Sequence, residues 1–60
     1  MTLCDRLTQA INDRDAKMVT GISNYLFFKC GLTYREGYEI AQRLTDISLP
    51  EWDELLREGD

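Results

Sequence analysis

At 60 residues, 43% of them hydrophobic and 30% charged, the chain has the composition of a folding domain, with room for one small unit over residues 1–60 and none for a second. A chain this short buries only about 60% of the surface its unfolded form exposes, so a staple or a partner is expected to support it. The net charge of −4 is unevenly spread, +1 over residues 1–30 and −5 over residues 31–60, which opposes nucleic-acid phosphates and makes DNA a poor default partner.

Thr2 followed by Asp5 predicts a helix start, a hydroxyl cap with an acid in the first turn. Leu3, Leu7, Ala10 and Ile11 then recur at spacings of three and four, one apolar stripe. Asn12 to Asp15 interrupt it with four polar residues, either a break or one polar turn of a longer helix, and the break is preferred. Ala16, Met18, Val19, Ile22, Tyr25, Leu26 and Phe28 resume helical spacing, with Gly21 a weak point. Cys30-Gly31-Leu32 reads as a stop, because a glycine just past a helix end takes the left-handed conformation and the next apolar residue packs back.

Thr33 and Glu36 have capping-box spacing and open the next helix, whose inner face is expected to carry Tyr34, Tyr38, Ala41 and Leu44 or Thr45, with Ile40 and Ile47 beside it. Ser48 and Glu51 repeat that spacing, with Pro50 in the first turn where its missing N–H costs little. Trp52, Leu55 and Leu56 form the inward face of a last short helix, Arg57 suits its C-terminal end, and Gly59 closes it. No alternating β-branched run or Asn-Gly turn appears, so the expected fold is all-α, a small bundle of three helices or four, dimeric.

Catalytic chemistry has no foothold. The chain has no histidine, Ser23 and Ser48 lie in no nucleophile-elbow context, and there is no glycine-rich phosphate loop. Cys4 and Cys30 lack zinc-ligand neighbours, and on one helix their separation would be roughly 39 Å, though a hairpin would shorten it. Both thiols are expected to be reduced and Cys30 to be a small buried apolar residue. No cofactor, metal or membrane contact is expected, and the expected location is the cytoplasm.

Two patches invite partners. Tyr25-Leu26-Phe27-Phe28 step by about 100° each, too wide an arc for one small core, so Ile22, Tyr25, Leu26, Phe27 and Phe28 are the expected self-association set. The alternative is that two point inward and a third lies on a covered flank. Glu51, Asp53, Glu54 and Glu58 are the expected surface for a basic protein partner, the alternative being a solvated face that confers solubility. The stretch from Tyr38 to Leu44, with the capped helix after it, has the layout of a helix-turn-helix, and Ala41 supplies the small residue of its first helix. Thr45 stands where that motif wants a glycine, Asp46 where it wants an apolar residue, and the reading helix carries Glu51, Asp53 and Glu54.

Over its whole length, through the TYREGYEIAQRL and SLPEWDELLREG segments, the chain resembles the small acidic helical accessory proteins encoded in the early regions of lambdoid temperate phages. The resemblance implies a regulator that binds host or phage proteins in the host cytoplasm, and it carries over no site residues. The expected function is therefore a non-enzymatic protein-interaction module or regulator, with a DNA-binding helix-turn-helix regulator as the alternative.

Overall fold

Each helix begins where a short polar side chain can take up free backbone N–H groups. In the computed structural model, which describes residues 2–60, these starts produce α1 (Leu3–Asn12), α2 (Ala16–Lys29), α3 (Tyr34–Thr45) and α4 (Leu49–Glu58), with no strand among the described residues. Thr2 and Thr33 form reciprocal capping boxes with Asp5 and Glu36, while Asp15 and Ser48 cap α2 and α4 by accepting from the N–H groups of Met18 and Glu51. Each such cap contributes about 1 kcal/mol.

The interruption at Asn12 to Asp15 is a true break. Arg14 takes a left-handed φ of 54°, and the N–H groups of Arg14 and Asp15 bond back to the carbonyls of Ile11 (3.0 Å) and Ala10 (2.9 Å), a Schellman-type ending. An arginine there costs about 1–2 kcal/mol in backbone strain. Its guanidinium offsets part of that cost, donating to the Ile11 carbonyl at 2.7 Å and to the Glu51 carboxylate at 2.9 Å, which ties the first corner of the chain to the start of α4. Gly31 has the left-handed φ of 71° expected of it, and the Leu32 N–H bonds back to the Leu26 carbonyl at 3.1 Å. Between α3 and α4 the left-handed residue is Asp46, at φ 58°, one place later than the turn position assigned to Thr45.

The core is formed chiefly by Leu7, Ile11, Val19, Ile22, Leu26, Ala41, Ile47, Trp52 and Leu55, with Trp52 wholly enclosed. Helix α2 is the hub, packed most extensively on α4 and α1. Trp52 and Leu55 dock α4 as expected, with Leu56 half-buried at the margin. The Thr20 hydroxyl reaches across from α2 to the Leu55 and Leu56 carbonyls. Gly37 leaves room for a neighbouring ring: a Cβ there would lie 2.9 Å from Phe27, which would have to shift. Cys30, expected to be buried, is exposed, because as the C-cap of α2 it sits where the chain leaves the bundle; Cys4 is exposed too, and both thiols are free.

Candidate functional site

Helix α2 is apolar on two sides, and its packing decides which side is left over. At about 100° per residue, Val19, Ile22, Ser23 and Leu26 share the inner side, while Met18, Gly21, Tyr25 and Phe28 fall within an arc of about 80° on the outer side. The structure leaves that outer arc bare: Met18 is 50% exposed, Tyr25 51% and Phe28 82%. Of the five residues expected at a self-association face, Tyr25 and Phe28 lie on it. Ile22 and Leu26 instead turn into the core, at 7% and 8% exposure, because the inner side of α2 faces α1 and α4. Phe27 is half-buried on the flank, its ring 6.2 Å from that of Tyr34, which in turn lies 6.4 Å from Trp52.

Beside this face lies an open groove of about 770 Å³, with Leu3 of α1 on one side, Met18, Gly21 and Tyr25 on the other, and the edge of Ile22 among its lining. Arg6, Asp15 and Lys17 supply its polar border. Sequence reasoning missed Met18, Leu3 and Gly21 as members of the surface. In the sequence the first two fall among the apolar positions of their helices, undistinguished from the rest, and Gly21 stands out only as a helix weakness. The signal available was spacing, since positions 18, 21, 25 and 28 follow the same three- and four-residue steps as a core stripe.

The acidic set divides. The Glu51 carboxylate accepts from the Ser48 hydroxyl at 2.8 Å and from Arg14 at 2.9 Å, and these contacts, the Ser48 hydrogen bond first, hold its pKa below the ordinary glutamate value. Asp53 accepts a hydrogen bond from the Tyr34 hydroxyl. Two of the four expected partner-facing acids are therefore engaged within the chain, leaving Glu54 and Glu58 on the solvent side next to Arg14. An exposed ion pair contributes about 0–1 kcal/mol, whereas covering an exposed Phe contributes about 1.5–3 kcal/mol. The apolar face of α2 has the larger capacity to hold a partner.

Among the described residues there is no group of three or more carboxylate or thiolate side chains placed to hold a metal ion, and no helix is long and apolar enough to cross a membrane. The exposed side of α4, by contrast with that of α2, presents Leu49, Pro50, Asp53, Glu54 and Arg57, a mixture with an acidic excess. Comparison with known protein families, with curated proteins and with solved structures yields no match to this chain.

Proposed function

We propose that the chain is a non-enzymatic protein-interaction module, a small regulator that works in the cytoplasm by docking another protein on the outer face of α2. The observation that supports this most directly is the exposure of Met18, Tyr25 and Phe28 in one continuous stripe, since soluble domains rarely leave several large apolar side chains together without a use for them. The resemblance to temperate-phage accessory proteins supports the same mode of action, regulation through protein contact. Glu54 and Glu58 serve encounter and solubility more than holding.

A DNA-binding reading has one observation in its favour, the tight corner at Asp46 to Ser48 that joins α3 to α4. The helix that would enter the groove offers Glu54 and Glu58 on its solvent side, which oppose phosphate. One experiment addresses both readings. Immobilised wild type and Phe28→Ser are exposed to native lysate, and duplex DNA binding is titrated against salt. The expected result is a set of retained proteins lost from the variant and no salt-dependent DNA binding. Identical retention by the two proteins refutes the α2 reading, and a steep salt slope selects DNA.

A further inference from the structure

Resting on the reading of α2 as a contact face, we propose that the free chain closes this face against a second copy of itself, which a docking partner displaces, with the two α2 helices antiparallel and crossing beside Gly21. The charges at the two ends of the helix select this arrangement. Asp15 stands at the N-terminal end of α2 and Lys29 at its C-terminal end. A two-fold axis between positions 21 and 22 sets Met18 across from the second copy's Tyr25 and brings Asp15 to within one residue, about 1.5 Å along the axis, of the level of its Lys29. Symmetry makes the Asp–Lys pair twice. Parallel helices would instead set Asp15 against Asp15 and Lys29 against Lys29, and would align the two helix dipoles unfavourably. Lys17 raises no conflict in the antiparallel pair, since the two copies of it lie about 13 Å apart along the axis, beyond the screening length of about 8–10 Å.

Nothing in one copy packs on Gly21. It lies inside α2, where glycine weakens a helix, and a Cβ built on it would meet nothing within 4 Å. At a helix crossing the missing side chain lets two backbones approach, which requires a second helix. Charge also chooses this side of the molecule. The outer stripe belongs to α2, in the half of the chain that carries +1, whereas the −5 of residues 31–60 lies in α3, α4 and the segments around them, so two copies that meet on α2 do not set the acidic halves directly against each other.

The stripe from Met18 to Phe28 runs about 15 Å along a molecule whose longest extent is 24 Å. A stable pair needs about 800 Å² from each partner, against a total surface of 4156 Å² for one copy. A pair built on one such stripe buries less than a large obligate interface does, so the dissociation constant should be micromolar and not tighter.

Sedimentation equilibrium on the purified full chain tests the proposal. The expected result is a monomer–dimer equilibrium in the micromolar range that Tyr25→Ser and Phe28→Ser abolish without loss of helicity. Asp15→Asn, which keeps the helix cap, and Lys29→Gln should each weaken the dimer roughly two- to five-fold, and the double variant should be no weaker than either alone. A chain that stays monomeric at every concentration, or a dimer untouched by the Tyr25 and Phe28 variants, overturns the proposal. Losses that add in the double variant overturn the antiparallel pairing. A monomeric chain whose Phe28→Ser variant still loses lysate proteins refutes the second copy and leaves the α2 contact reading standing.

Discussion

Replacing Gly21 with alanine separates what α2 needs as a helix from what it needs as a surface. In a helix interior glycine is about 0.5–1 kcal/mol worse than alanine, because it loses more backbone freedom on folding. The new methyl group would meet no atom within 4 Å, so nothing in the single chain opposes that gain. For a domain of this size about 1 kcal/mol moves the melting midpoint by about 4–8 °C, so Gly21→Ala should raise it by about 2–8 °C. The assay is thermal unfolding by far-ultraviolet circular dichroism, at concentrations well below the dimer dissociation constant. The same substitution places a methyl at the crossing point and should weaken self-association in sedimentation, a monomer made more stable and a dimer made less so. Gly37→Ala is the control: its methyl would lie 2.9 Å from the Phe27 ring and 3.5 Å from Trp52, and overpacking there should lower the midpoint despite the same gain in helix propensity. A Gly21→Ala protein that melts lower than wild type would refute the assignment of this position to a free outer face.

Leu55→Ala should cost about 2–5 kcal/mol, since the side chain is only 5% exposed and anchors α4 to α2; an unchanged denaturation midpoint would show α4 to be loosely attached. Glu51 gives stability a pH dependence of definite sign. Its pKa is lowered in the folded chain, so its contribution is complete above the unfolded-state value and is lost as pH falls through the lower folded value. In melting curves taken across the acid range, Glu51→Gln should flatten that part of the profile, and a profile identical to wild type would show that the Ser48 and Arg14 contacts are not maintained in solution.

Features written in neighbouring residues were legible before the structure. Thr33 with Glu36, Ser48 with Glu51, and Gly31 after Cys30 act over one helical turn, so their spacing alone locates three helix boundaries. The inward and outward sides of α2 were not legible in the same way. Both are apolar, and the choice belongs to α1 and α4, which cover Ile22 and Leu26 and leave Tyr25 and Phe28 bare. The fate of the acidic set was hidden for a related reason. Glu51 meets Arg14 across 37 positions of sequence and Asp53 meets Tyr34 across 19, and no local pattern encodes either pairing. Gly59 closes α4 as expected, but its φ of −82° is ordinary; a Cβ there would collide with the Ala16 carbonyl and the Thr20 hydroxyl, so space and not backbone freedom demands the glycine.

The complete burial of Trp52 bears on what happens when the bundle opens. The largest side chain of the core belongs to the fourth helix, so α4 cannot leave α2 without withdrawing the group that fills the space between the other helices. Whenever α4 is undocked, the wall of α2 that it covers is open to solvent in addition to the outer stripe, so α2 is apolar and uncovered on both sides at once. The chain is then at its most adhesive, and the speed with which the segment from Leu49 to Leu55 closes again governs how long other polypeptides have to reach it.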